Sequence, residues 1–202
     1  DIRQTRPEPR PWWKPLESLI FSLIFFFLST TIANRLYVWW IALMYRANPF
    51  ALELSSPIFE IRQHTTEWAV PLKNAQDLYQ KMTKLFKENP QFPVHFLECR
   101  FTASDDVSYI SPTSVETKEK DDYFCYIGIV SFCPFNVKLQ HFEDLYSHVD
   151  KLCVKAGGRP HWAKNYGGLE FKEFTEIFAP NFAKFNEIRK QLDPEEVMMN
   201  KE

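Results

Sequence analysis

Two short stretches of this 202-residue sequence carry side chains able to do chemistry. The first is Glu98 and Arg100, inside the run VHFLECRFT at 94–102. On an extended strand, residues i and i+2 share one face. A carboxylate and a guanidinium side by side can bind a polyol-like ligand or stabilise an anion. The same pair also serves as a cross-strand ion pair on a solvated face. The second stretch is GGRPHWAK at 157–164. A turn stiffened by glycine and proline can aim His161 and Lys164 at one point. The plainer reading is a helix C-cap followed by an exposed basic loop. The sequence holds no Gly-rich phosphate loop, no GxSxG, no HExxH and no paired carboxylates in a glycosidase-like context. Catalysis by protein groups alone is therefore not supported.

These residues need elements to position them. From residue 50 onward the pattern is α+β. Residues 67–71, EWAVP, read as a short strand stopped by Pro71. Asn74, with Asp77 three residues later, predicts a capping-box-like helix start, and the helix runs to about Asn89. Ala75, Leu78, Met82, Leu85 and Phe86 fall on one face of it, and Pro90 ends it. The segment 94–102 reads as a strand, and 105–111 as a second extended segment. The stretch SVETKEKDD at 114–122 is a charged loop. The run YFCYIGIVSF at 123–132 is rich in β-formers and bounded by a charge run and Pro134. Residues 137–156 predict a helix with an apolar stripe of Leu139, Phe142, Leu145, Val149 and Leu152, and Gly157 is a natural terminator. Two short helices follow near 170–179 and 181–192, broken at Ala179-Pro180.

The beginning of the chain differs in character. Residues 1–17 read as a linker or extended arm, with four prolines in the first fifteen positions. Residues 18–49 form a hydrophobic helical segment. Its run LIFSLIFFFLSTTIA at 19–33 holds 11 apolar residues. The uncharged stretch 18–34 sits at the lower edge of a bilayer span. The pairs Trp12-Trp13 and Trp39-Trp40 flank it, as aromatic belts do at a membrane interface. A membrane-associated helical hairpin, spanning or lying on the bilayer, is one reading; a buried helix pair at a domain boundary is the other. The formal net charge of −2 argues against a broad nucleic-acid surface. Cys99, Cys125, Cys133 and Cys153 have neither CxxC nor metal-ligand spacing, so reduced thiols are the simplest reading and no metal is called for.

Taken in order, these segments resemble the sugar-1,4-lactone oxidases, the aldonolactone oxidoreductases of the vanillyl-alcohol-oxidase flavoprotein superfamily. GGRPHWAK resembles the segment with the family's HWxK fingerprint. Residues 67–71 look like its aromatic-Ala-Ile-Pro strand, and 98–102, ECRFT, like its E-x-R-[FW]-T strand. Asp105-Asp106 and Ser111-Pro112 follow in the same order, and FNEIRKQLDPEEVMMN at 185–200 is similar to the family's ending. Cys99 stands where valine is common, and Tyr166-Gly167-Gly168 departs from the animal pattern.

The resemblance implies that residues 50–202 are the C-terminal substrate or cap domain of a two-domain flavoprotein. That domain is α+β, an antiparallel sheet flanked by helices. The resemblance also implies FAD as cofactor, bound chiefly by an N-terminal FAD-binding domain in the same protein or another chain. The implied activity is oxidation of a gulono-, galactono- or arabinono-1,4-lactone in ascorbate-type biosynthesis, by hydride transfer to flavin. Glu98, Arg100, His161 and Lys164 are then catalytic, and Arg100, His161 and Lys164 also face the cofactor. Oxygen or a cytochrome takes the electrons. The implied location is the endoplasmic reticulum membrane, with a mitochondrial membrane as alternative. A different class of reading is a non-catalytic membrane-associated scaffold or accessory subunit that retains the fold.

Overall fold

The computed structural model of the chain describes residues 14–47, 62–116, 123–133, 141–166 and 169–199. Among them are six helices and four strands. They fall into two compact units. The first holds the described residues up to His64 together with Phe132 and Cys133; the second holds the rest.

In the first unit, α1 (Lys14–Phe27) and α2 (Thr30–Ala47) form the expected hairpin. Phe21, Phe25, Ala33 and Tyr37 are buried. The Phe21 ring meets Tyr37 and Trp40 edge-on, at 5.8 and 5.0 Å between centroids. Such pairs add to simple burial because ring edges and faces carry opposite partial charge. Much apolar surface points outward: Leu19, Leu23, Phe27, Ile32, Val38 and Trp39 are all exposed. No helix of the described residues is long and apolar enough to cross a membrane.

The second unit carries most of a four-stranded antiparallel sheet. Its strands are β1 (Gln63–Pro71), β2 (Phe96–Ala103), β3 (Tyr123–Phe132) and the two-residue β4 (Arg159–Pro160). Their order across the sheet is β2-β3-β1-β4. The register pairs Glu98 with Gly128 and Arg100 with Tyr126, and on the other edge Trp68 with Pro160. Strand alternation then sorts the side chains. Trp68, Val70, Cys125, Ile127 and Ile129 enter one apolar core with Ala75, Leu78 and Met82 of α3 (Leu72–Glu88) and Leu145, Val149 and Cys153 of α4 (Phe142–Lys155). Glu67, Glu98, Arg100 and Tyr126 belong to the opposite parity and face away from that core. The indole N–H of Trp68 donates to Asp150 Oδ1 at 3.1 Å, tying β1 to α4 inside the core.

Several elements differ from the sequence expectation. β1 begins at Gln63, well before Glu67. Helix α3 starts directly after Pro71, so Asn74 is not its cap; its side-chain amide instead donates to the Ala156 carbonyl at 3.0 Å and ties α3 to the end of α4. Helix α4 starts at Phe142, after His141 in a left-handed conformation, and the expected start at 137 lies outside the described residues. Residues 105–111 are not a strand. The Asp105 carboxylate accepts the N–H groups of Val107 and Ser108 at 2.9 and 3.0 Å, which bends the chain into a turn. One isolated parallel bridge, Asp105 to Ser114, closes that loop. The final helices α5 (Phe171–Phe178) and α6 (Asn181–Leu192) form as expected on either side of Ala179-Pro180. Glu170 and Glu173 make a reciprocal capping box at the start of α5. Gly157 takes φ +72 at the end of α4, as a terminating glycine should. All four cysteines are free thiols.

Buried His95, just before β2, gives the fold a pH signature. Burial lowers its pKa from 6.5 to about 4, against a smaller opposing effect of a hydrogen bond to the Pro93 backbone. Between those two values the unfolded chain binds a proton that the folded chain does not. Stability therefore rises with pH across this window and falls as pH drops from 6.5 towards 4. Urea unfolding should show a slope of up to about 1.4 kcal/mol per pH unit there. His95→Gln should flatten it; an unchanged slope would assign the effect to other groups.

Candidate active site

The sheet face opposite the core gathers the candidate residues. β2 supplies Glu98 and Arg100, two positions apart and on one face, as the strand period requires. Between β2 and β1 runs β3, which offers Tyr126 opposite Arg100 and Gly128 opposite Glu98. A Cβ at Gly128 would lie 3.8 Å from Glu98 Cβ and 3.9 Å from Glu67 Cγ. The bare backbone at Gly128 is thus flanked by one carboxylate from β2 and another from β1.

Arg100 reaches across β3. Its Nη2 donates to Glu67 Oε1 on β1, and its guanidinium carbon lies 5.7 Å from the centroid of the Tyr126 ring. The hydrogen bond that Arg100 donates to Glu67, helped by the charges of Glu67 and Glu98, raises the Arg100 pKa above its ordinary value, so the cation is permanent. Burial raises the Tyr126 pKa, and the nearby Glu67 carboxylate adds to this, partly offset by a hydrogen bond with Thr113. Tyr126 is therefore a neutral phenol at physiological pH. The loop 104–116 is pinned beside it: Arg159 Nη1 donates to the Ser114 carbonyl and, at 3.2 Å, to its hydroxyl.

His161 enters from β4. Its backbone N–H donates to the Glu67 carbonyl at 2.8 Å, and its ring lies 6.3 Å from that of Tyr126. The Ala163 N–H donates to His161 Nδ1 at 3.2 Å. In the neutral imidazole this places the proton on Nε2 and makes that nitrogen a donor. Lys164 closes the turn with its N–H on the His161 carbonyl at 2.8 Å, and Asn165 bonds the Thr65 carbonyl at 2.9 Å. The route into this turn needs glycine at 158, where a Cβ would lie 2.8 Å from the Cys153 carbonyl oxygen and 3.1 Å from Val70 Cγ2. Gly158 is required by that close approach of α4 to β1.

The structure thus brings Glu98, Arg100 and His161 onto one face, drawn from a strand and a turn some sixty residues apart. Lys164 follows one turn after His161 and is exposed. Cys99 lies on the opposite parity from Glu98 and Arg100, as strand alternation predicts. Two members were not singled out from the sequence. Glu67 was visible only as an acidic residue inside an otherwise β-forming run, and Tyr126 only as an aromatic out of phase with Cys125 and Ile127.

An open sheet face with a guanidinium held by Glu67, an imidazole donor, a phenol and the Glu98 carboxylate suits a hydroxyl-rich ligand and a developing negative charge. The model of the family described as D-arabinono-1,4-lactone oxidase matches residues 11–202, and the chain belongs to that family. It is 30% identical over 190 residues to an L-gulonolactone oxidase of Scyliorhinus torazame, covering 92% of this chain and 40% of that protein. It is 29% identical to an L-gulonolactone oxidase of Mus musculus, covering 83% of this chain and 36% of the relative. It is 25% identical over 142 residues to an L-gulono-1,4-lactone dehydrogenase of Mycobacterium tuberculosis, covering 70% of this chain and 30% of the relative. The chain therefore spans about two-fifths or less of the length of these relatives.

Proposed function

We propose that this chain is the substrate-side part of an FAD-dependent aldono-1,4-lactone oxidase or dehydrogenase. The observation that carries the reading is the convergence of Arg100, His161 and Glu98 on one sheet face turned away from the core. The donors fit a flavin: the Arg100 guanidinium, the His161 Nε2–H and the Lys164 ammonium are cations or N–H groups suited to an electron-rich, anionic ring edge. When bound, FAD supplies the acceptor for the hydride that leaves the lactone carbon. The chain's own residues position and polarise. Glu98 accepts hydrogen bonds from sugar hydroxyls and so selects the reacting face. Arg100 stabilises the negative charge that develops as the hydroxyl on the reacting carbon gives up its proton to solvent at the open sheet face. His161 donates from Nε2 and orients the turn, and Lys164 contacts the reacting hydroxyl. Gulono-, galactono- and arabinono-1,4-lactones are the substrate class, with oxygen or a cytochrome as final acceptor and an ascorbate-type product.

The exposed apolar side of α1 and α2 supports a membrane-associated protein, with the hairpin lying in the interface of the endoplasmic reticulum or, alternatively, a mitochondrial membrane. One experiment addresses both points. Full-length protein carrying this chain should be recovered in the membrane fraction after a high-salt wash. It should also lose its yellow colour when mixed anaerobically with L-gulono-, L-galactono- or D-arabinono-1,4-lactone. A full-length protein that binds no FAD, or whose FAD no lactone bleaches, would falsify the enzymatic reading and favour an accessory scaffold. Release by salt alone would remove the apolar anchor.

A further inference from the structure

We infer that Glu67 is the positioning residue of this site. It anchors the Arg100 guanidinium through its side chain and the His161 turn through its backbone, so that both donors meet one ligand. The inference rests on the lactone-oxidising reading above and adds to it a residue that touches neither lactone nor flavin.

Glu67 sits on β1, an interior strand between β3 and β4, and is only 5% exposed. Its Oε1 accepts from Arg100, while its Oε2 is buried with no hydrogen-bond partner among the described residues. A buried carboxylate with one oxygen unpaired is unfavourable for folding. The ion pair offsets little of that, because the Arg100 side chain is 63% exposed and its charge is screened by water. Stability therefore does not explain the arrangement, whereas placement does. An arginine side chain on an edge strand samples many rotamers, and a fixed acceptor two strands away selects the one lying across β3. Gly128 carries no side chain between Glu98 and Glu67, and a Cβ there would already be in van der Waals contact with both, at 3.8 and 3.9 Å. The Glu67 carbonyl holds the His161 N–H at 2.8 Å, so a single residue sets the position of donors from two distant segments. Preorganised donors of this kind need no rearrangement when charge develops.

A double-mutant cycle on the full-length protein tests this. Glu67→Gln keeps the side-chain shape and the backbone carbonyl but removes the charge. It should slow lactone-driven flavin reduction roughly tenfold when Arg100 is present, and less than about twofold when combined with Arg100→Ala, since acting through Arg100 makes the effects non-additive. Equal losses in both backgrounds overturn the inference. Glu67→Asp should recover part of the rate only in the Arg100 background. A second readout does not depend on activity. In arginine-labelled full-length protein, assigned with Arg100→Lys, the Arg100 Nη groups should give separate nitrogen-15 signals from hindered rotation, and these should merge in Glu67→Gln. Freely rotating Nη groups in the parent overturn the anchor. Hindered groups in a parent that no lactone reduces would instead overturn the lactone reading and leave the anchor standing.

Discussion

Arg100→Ala in the full-length enzyme should slow flavin reduction by lactone roughly 10²–10³-fold, the loss typical of removing one preorganised donor from developing charge. The expectation follows from where the guanidinium is held. It is bonded to Glu67 on one side, stacked against Tyr126 on another, and carried on the face shared with Glu98 and His161. Removing it deletes a permanent cation from a site where Glu67 and Glu98 then remain as two negative charges across Gly128. That repulsion acts on the same transition state, so alanine should be worse than loss of a neutral donor. Arg100→Lys should recover only part of the rate. An ammonium is a point charge and cannot hold Glu67 and face a ligand through a planar fork. Stopped-flow reduction under anaerobic conditions measures both variants. Rates within about threefold of the parent would leave Arg100 as a structural ion-pair partner.

Trp68→Ala should be the most damaging single change to the fold. Trp68 is fully buried at the centre of the core, between the sheet and α3 and α4. Truncating a buried tryptophan costs about 3–5 kcal/mol in lost contacts and cavity, against a typical total of about 5–15 kcal/mol for a domain. The change also deprives Asp150, itself buried in α4, of the indole N–H, adding about 1–3 kcal/mol for a polar group left short of a donor. Trp68→Phe separates the two contributions, because it keeps most of the ring volume and loses the N–H. It should cost about 1–3 kcal/mol. Chemical denaturation followed by far-ultraviolet circular dichroism measures each. A loss under about 1 kcal/mol for the alanine variant would show that β1 is not held through this contact. Because Glu67 is the next residue on β1, damage at Trp68 should also loosen the site.

Local pattern made much of this legible in the sequence. β3 runs over the ten residues whose β-branched and aromatic composition marked them, because a continuous run of β-formers flanked by charges and proline has few other uses. The ends of α4, α5 and α6 followed from Gly157, the Ala179-Pro180 break and Leu192, since glycine and proline act on the backbone within a residue or two. Glu98 and Arg100 were placed on one face by the strand period alone, and that parity holds in the sheet. Such features depend on neighbours in the chain, and the chain order contains them.

Other features depended on which strands lie side by side. Asn74 has the spacing of a cap, yet it bonds Ala156, 82 residues away, because α3 starts at Leu72, directly after Pro71, and packs against the end of α4. Asp105 bends its segment into a turn, where composition alone allowed a strand. Glu67 became part of the site only because β3 lies between β2 and β1, which sets a carboxylate 33 residues distant within reach of Arg100. The sequence by itself determined most of the helices, the strands at 94–102 and 123–132, and which residues carry reactive groups, through short-range sterics and periodicity. Strand order, and with it the pairing of Glu67 with Arg100 and His161, was decided only by the tertiary structure, because non-local pairing is chosen by how the whole apolar face is buried against α3 and α4.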